Sequence, residues 1–354
     1  MMPSNGKNKR TLRLLFWEST IKCNLTCSHC RRVEGDEQVG TDMTTGQAKS
    51  LIDQLAELGK SQDFMPILVF SGGEPLCRDD VFELAGYAGD QGLRTALATN
   101  GTMIDAETAA RIEDAGFARV SISLDGATEQ VHNKLRQEPG CFDAALNGMA
   151  ELQKANVPFQ VNMTMTRHNA HQLDDIFNLA KNMRAQAVHL FMMVPVGCGE
   201  QFNQADMLDA DEYEQMMKRI AATERSGNIE VKVTCGPHYE RVKRQTQHQS
   251  ARSRHPSKGC LAGSGVIFIG HQGDVFPCGY LPVNCGSVLR QPLADIWHGS
   301  EDLARMRDAN RLTGKCGICE FKRLCGGCRA RAYAATGDYM SEEPFCAYVP
   351  KNLK

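Results

Sequence analysis

Eleven of the fifteen cysteines in this 354-residue chain stand in two groups towards its opposite ends. Cys23, Cys27 and Cys30 lie together near the start, whereas Cys260, Cys278, Cys285, Cys316, Cys319, Cys325, Cys328 and Cys346 crowd the final part. An odd number argues against a fully paired disulfide framework, and the polar, basic stretch over residues 1–10 is followed by no apolar export signal. In a reducing cytoplasm, clustered cysteines serve as metal ligands or redox groups more often than as cross-links. Two metal-bearing regions in a cytoplasmic protein are therefore expected.

Composition removes other classes. Forty Lys and Arg oppose 42 Asp and Glu, a net charge of −2, so no global field draws nucleic acid or an anionic membrane. With 42% hydrophobic and 23% charged residues, disorder is excluded as the main state. The longest apolar runs, such as residues 14–17 and 67–70, fall far short of the ~20 residues a membrane span requires. Neither a nucleic acid nor a membrane is expected as a partner.

Between the cysteine groups, short β-branched runs alternate with amphipathic helices, the pattern of a parallel α/β domain. Strands are expected at residues 12–17, 67–70, 95–98, 120–124, 159–164 and 188–192. The first helix should begin after Thr44, with Ala48, Leu51, Ile52, Leu55 and Leu58 forming one buried stripe and Gly59 ending it. Too few units for a closed eight-unit barrel give a partial (β/α)6 barrel over residues 1–205. Residues 206–258 read as a connecting helix, a strand at 229–234 and a polar linker over 245–258. Residues 259–354 read as a cysteine-rich domain with short strands at 266–269 and 275–276 around a turn at 271–274. This tail is poor in apolar runs, so metal should supply part of its folding energy.

Ligands of parallel sheets bind at the carboxyl ends of the strands, and every unusual loop falls there. Cys23-Asn-Leu-Thr-Cys27-Ser-His-Cys30 follows strand one. Three thiolates so spaced can hold three corners of a cubane cluster and leave the fourth iron open; zinc completed by His29 is the alternative. Ser71-Gly72-Gly73-Glu74-Pro75 follows strand two, where glycines let the backbone approach a cofactor closely and the carboxylate complements a cation. Asn100-Gly101, Asp125-Gly126 and Val196-Gly197 follow strands three, four and six.

In order and spacing, the cysteine loop and the Gly72-Gly73-Glu74-Pro75 loop resemble those of the radical SAM superfamily. That resemblance implies a [4Fe-4S] cluster with an open iron site on Cys23, Cys27 and Cys30, which binds S-adenosyl-L-methionine (SAM) and cleaves it to a 5′-deoxyadenosyl radical. It further implies that Gly72, Gly73, Glu74 and Pro75 hold the SAM ammonium. Asn100, Ser123 and Asp125 become candidates for its ribose and methionyl groups, Arg136 for its carboxylate, and Val196 and Gly197 for adenine. The tail is similar to the SPASM extension of that superfamily, with one departure: the gap between Cys325 and Cys328 is a residue shorter than usual. By this likeness Cys316, Cys319, Cys325 and Cys346 hold one auxiliary iron–sulfur cluster. Cys260, Cys278 and Cys328 belong to a second, which has an open site, borrows Cys235 or Cys285, or does not assemble. Zinc on Cys316, Cys319, Cys325 and Cys328 is the alternative.

Further runs, among them residues 12–18, 29–32, 98–102, 193–197, 279–282 and 325–333, look like the haem synthases of the sirohaem-dependent haem pathway. The activity so implied is oxidative decarboxylation of two propionates of iron-coproporphyrin III to vinyls, giving haem b, with an auxiliary cluster as electron acceptor. The partners implied are a tetrapyrrole substrate and a low-potential electron donor such as ferredoxin or flavodoxin. Arg31, Arg32, Arg167, Arg329 and Arg331 are candidates to hold propionates. Related tetrapyrrole side-chain removal and SPASM modification of a peptide are the alternatives. With 22 residues ahead of Cys23, no leading peptide-recognition domain is expected. A non-catalytic iron–sulfur or zinc protein would leave the strand-end loops unexplained.

Overall fold

The computed structural model describes residues 10–32, 40–203, 205–225, 229–246 and 258–353. The basic opening stretch and most of the polar linker thus lie outside the described residues. Nine strands form one sheet: β1 (Leu14–Thr20), β2 (Ile67–Gly72), β3 (Arg94–Thr99), β4 (Arg119–Ser123), β5 (Phe159–Met165), β6 (Ala187–Met192), β7 (Glu230–Thr234), β8 (Val266–Ile269) and β9 (Val275–Phe276). Their spatial order is β7-β6-β5-β4-β3-β2-β1-β8-β9. All neighbours are parallel except the β8–β9 hairpin. The sheet does not close on itself, as expected of a partial barrel.

β1, β2 and β6 are rich in Val, Ile, Leu or Phe, as buried parallel strands are, whereas β3 holds one Leu and none of the others. Trp17, Phe70 and Phe117 meet in the core, with ring centroids 5.5 Å and 5.6 Å apart. β1 starts at Leu14 because the Gln62 side chain already binds both the N–H and the carbonyl of Leu12. It continues to Thr20 because β2 runs alongside it as far as Gly72.

The helix Thr45–Ser61 opens with a capping box between Thr44 and Gln47, and its expected apolar stripe is buried. Gly59 does not end it. A side chain at Gly59 would lie 2.7 Å from Met65 Sδ and 2.9 Å from Pro66 Cδ, so the glycine admits the chain returning into β2.

The cysteine-rich tail begins on the barrel's own sheet. β8 pairs in parallel with β1, Leu14 opposite Val266, which covers an edge that would otherwise be open. β7, expected in a connecting segment, extends the opposite side through β6. Ile267, Ile269, Val275, Leu293, Ile296 and Trp297 of the tail join the barrel's own core, so metal is not the tail's only source of folding energy. Trp297 Nε1 donates to the Arg10 carbonyl at 2.9 Å, and the Leu293 N–H to Gln54 Oε1 at 2.8 Å. A second, smaller apolar cluster of Val194, Leu281, Met306, Leu312, Cys328, Ala330, Tyr339 and Met340 sits under the cysteine-rich loops. Among the described residues, no helix is long and apolar enough to cross a membrane.

Candidate functional site

The loop carrying Cys23, Cys27 and Cys30 leaves β1 at the carboxyl edge of the sheet, and four neighbouring loops are fastened to it. The Gly73 N–H donates to the Thr20 carbonyl at 2.9 Å and the Glu74 N–H to the Lys22 carbonyl at 2.8 Å. A Cβ on Gly72, whose φ is +151°, would stand 2.4 Å from Thr20 O, and one on Gly73 would stand 2.3 Å from Lys22 O. The two glycines therefore let this loop press against the cysteine loop, a close approach within the protein itself. Pro75 then opens a short 3-10 turn, Pro75–Cys77.

Glu74 is fully buried. Its Oε1 accepts from the Leu76 N–H at 3.1 Å and its Oε2 from the Asn100 N–H at 2.8 Å, which ties the loops after β2 and β3 together. Burial raises its carboxyl, and the Asn100 and Leu76 N–H groups oppose that rise. The Asn100 amide in turn donates to Asn24 Oδ1 at 2.8 Å, inside the cysteine loop.

Asp125, just beyond β4, is a hub with no exposed surface. Its Oδ1 accepts from the Thr164 N–H at 2.7 Å, while Oδ2 faces Arg136 Nη2 at 2.6 Å and His29 Nε2 at 3.1 Å. Burial would raise this carboxyl, but Arg136 and His29 hold it well below the carboxylate range. Arg136 Nη1 also lies 3.6 Å from Cys27 Sγ. Ser123 ends β4 half-buried, two residues before this hub. From beyond β6, the Cys198 N–H donates to the Arg32 carbonyl at 2.8 Å, and Gly197 (φ +59°) would place a Cβ 2.2 Å from Arg31 O. Val196 lies beside it, so the strand-end candidates do gather around the three thiols.

Two buried nitrogens there, His29 Nδ1 and Arg136 Nε, have no hydrogen-bond partner within the protein. The Arg136 N–H is a donor in every protonation state, and an orphaned donor beside thiols suits an acceptor-rich cofactor. Burial pushes the Cys23 thiol up to about 12 and raises Cys27 as well, so both would ionise on binding metal.

The arginines expected to hold propionates are mostly engaged elsewhere. Arg331 is fully buried in an ion pair with Glu343, Nε to Oε1 at 2.9 Å. Arg329 is buried and donates to the Tyr339 and Ser341 carbonyls, each at 2.7 Å. Arg167 pairs with Glu212 at the surface. Each of these three guanidinium groups thus has partners within the protein. Arg31 remains beside the cysteine loop, paired with Glu18 and stacked 4.3 Å over Phe268. Arg32 is buried near Gly73.

In the tail, Cys316, Cys319, Cys325 and Cys346 line one cavity. Backbone N–H groups of Glu343 and Phe321 donate to Cys316 and Cys319 Sγ, each at 3.4 Å. Lys315, Lys322 and Arg241 complete much of the wall, a cationic setting for an anionic cluster. Cys328 does not line it, so the zinc quartet that includes Cys328 is not the grouping found. Nor do three His, Cys, Asp or Glu side chains converge on a single-ion site among the described residues. A cubane takes one thiolate per iron, so its ligand sulfurs stand farther apart than those around one ion. Sequence reasoning missed Glu343, whose carboxylate accepts from the Cys328 N–H at 2.6 Å while also lining this cavity. No local motif marks it.

Residues 17–180 match the Radical SAM superfamily model, and residues 260–328 match SPASM, described as an iron–sulfur cluster-binding domain. The AdoMet-dependent heme synthase of Methanosarcina barkeri is 44% identical over 346 residues, covering 96% of this chain and 97% of that protein. The chain belongs to the AdoMet-dependent heme synthase family. Another member, from Nitratidesulfovibrio vulgaris, is 40% identical over 97% of this chain and 94% of its own length. Among solved structures, Streptococcus suis SuiB bound to its precursor peptide superposes with a TM-score of 0.76 at 15% identity, covering 96% of this chain and 76% of SuiB. The anSMEcpe structure with bound AdoMet gives 0.71 at 18% identity, covering 95% and 94%. At such identities these two show the fold alone. As a radical SAM haem synthase family member, the chain is an enzyme that uses SAM, a [4Fe-4S] cluster and auxiliary iron–sulfur in its tail.

Proposed function

We propose that this enzyme converts iron-coproporphyrin III to haem b by oxidative decarboxylation of two propionates to vinyls. The observation that carries this reading is the full-length 44% match to an AdoMet-dependent heme synthase, with the cysteine loop enclosed by the strand-end loops such chemistry needs. When bound, SAM and the cluster on Cys23, Cys27 and Cys30 supply a hydrogen-abstracting 5′-deoxyadenosyl radical, and tail iron–sulfur accepts an electron. The balance per side chain is simple. A propionate loses one hydrogen atom to the deoxyadenosyl carbon, its carboxylate departs as carbon dioxide, and one electron leaves to give the vinyl.

The protein's own groups have distinct tasks in this reading. Arg136 Nε presents a donor to the SAM carboxylate, and His29 Nδ1 is a second unpaired nitrogen beside it. Asp125 orients Arg136 and His29 from behind and does not itself touch SAM. Glu74 sets the loops after β2 and β3, whose backbone at Gly72, Gly73, Pro75 and Asn100 faces the SAM ammonium and ribose, with Ser123, Val196 and Gly197 completing the pocket. Arg31 and Arg32 hold a substrate propionate at the mouth of this site. Residues 1–205 carry the radical step and residues 259–354 the electron acceptor. A cytoplasmic low-potential donor such as ferredoxin or flavodoxin supplies the reducing electron.

The test is the product mass after anaerobic incubation with SAM, reductant and iron-coproporphyrin III. Haem b is expected. Cleavage of SAM with unchanged porphyrin, but turnover of another tetrapyrrole, would move the enzyme to a related side-chain-removing activity.

A further inference from the structure

Cys328 lies three residues beyond Cys325 yet stays out of the cavity that Cys316, Cys319, Cys325 and Cys346 share. Its buried thiol neighbours that of Cys235, the residue immediately after β7. Cys235 is also within electrostatic reach of Cys278, which in turn neighbours Cys260 and Cys328. The backbone explains the meeting. Pro237, two residues past Cys235, touches Gly259, where an added Cβ would come within 2.7 Å of Pro237 Cβ, and the Cys260 N–H donates to the Cys325 carbonyl at 3.2 Å. Cys235 and Cys278 both pack on the apolar cluster that contains Cys328.

Cys285 has a different neighbourhood. It is close to Ser300, Asp302 and Arg307, and its thiol lies against the Val283 carbonyl at 3.5 Å. The backbone of Cys235 is unusual as well. Of five non-glycine residues with positive φ among the described residues, Asp63, Gln137, Asn156 and Arg184 each follow a helix end, where that conformation is common, but Cys235 (φ +57°) follows a strand.

We propose that Cys235 is the fourth ligand of a tail iron–sulfur cluster held by Cys260, Cys278 and Cys328. The inference rests on the reading that the tail thiols bind iron. With four thiolates, that cluster is closed, so it exchanges electrons with its surroundings and does not bind substrate through an open iron. The fourth ligand comes from the end of β7, so the barrel's sheet completes a cluster of the tail.

The experiment isolates the tail by replacing Cys23, Cys27 and Cys30 with Ala in the full chain, then adds Cys235→Ser, Cys260→Ser or Cys285→Ser. Iron, sulfide and EPR spectra are measured on anaerobically purified, reconstituted protein. Cys235→Ser should lose about four irons per chain or yield a three-iron cluster, as Cys260→Ser does. The Cys235/Cys260 double variant should lose no more than either alone, because both act on one cluster. Cys285→Ser should match the parent. Full iron with an unchanged spectrum in Cys235→Ser, or the loss appearing in Cys285→Ser instead, overturns the assignment. A parent without tail iron overturns the functional reading first, and the proposal with it. Iron anomalous scattering from crystals of the unmodified holoenzyme bears on the same point without any variant. Iron bonded to Cys235 Sγ supports the proposal, and a tail cluster with Cys235 unbound overturns it.

Discussion

Glu74 and Asp125 each commit a buried carboxylate to partners within the protein, and this changes what their replacement should do. Removing the Glu74 side chain leaves the Asn100 and Leu76 N–H groups without acceptors, a cost of about 1–3 kcal/mol where such groups are buried. Glu74→Ala should therefore lower the unfolding midpoint and weaken SAM binding at least tenfold together, whereas Glu74→Gln, which keeps one acceptor, should recover part of both. Calorimetric SAM titration with thermal denaturation checks this; normal stability with lost SAM binding would point to a direct contact alone. The cysteine spacing was legible in the sequence because the three thiols share one short loop. The arginines were not, because their partners are distant in the chain: Arg331 reaches the Met193 carbonyl at 3.3 Å and Glu343 besides. His189 shows a comparable hidden setting on β6, where burial pushes it down to about 4, with Lys232 and Arg119 nearby adding to the shift. The unfolded chain protonates this ring near pH 6.5, so the folded state loses stability as pH falls from 6.5 towards 4. Urea denaturation between pH 5 and 8 should show that slope, and His189→Gln should reduce it without abolishing it, because burial pushes His132 and His238 down to about 4 as well.

At the level of elements, strand positions were readable from β-branched runs, and β8 and β9 have the expected bounds. Their partners were not readable, since no local pattern tells which distant edge a four-residue strand will cover. β1 has an apolar character that suits burial on both sides, and the structure gives it β2 on one and β8 on the other. Gly59 teaches the same lesson, for its role depends on Met65 and Pro66 folding back against the helix. A chain cut after Lys258 keeps the cysteine loop and the Gly-Gly-Glu-Pro loop but exposes the β1 edge and takes Ile267, Ile269 and Trp297 from the main core. Such a chain should aggregate on expression and cleave no SAM. Recovery of a soluble, folded and SAM-cleaving fragment would show that the pairing is dispensable.

Across the whole molecule, the radical site and the tail are joined by one continuous sheet and by buried polar links. The Arg331–Glu343 pair is the clearest of these: Arg331 reaches the Met193 carbonyl just past β6, and Glu343 touches both the Cys328 backbone and the wall of the Cys316 cavity. Such an arrangement fits a division in which hydrogen abstraction occurs at one place and the leftover electron is taken up at another. The two steps should then be separable. Cys319→Ala removes one thiol from the cavity shared with Cys316, Cys325 and Cys346, far in the chain from the cysteine loop. If that cavity holds the acceptor, the variant should release 5′-deoxyadenosine at a rate near that of the parent but form several-fold fewer vinyl groups, because the substrate radical cannot be oxidised. Metal binding contributes to folding of the tail, so the comparison counts only in soluble protein whose barrel cluster is confirmed by spectroscopy. The deciding quantity is the ratio of vinyl groups to 5′-deoxyadenosine. A ratio equal to the parent's, with the cavity cluster verifiably lost, would mean that the electron leaves through the cluster closed by Cys235 or directly to the medium, and that the Cys316 site serves the fold.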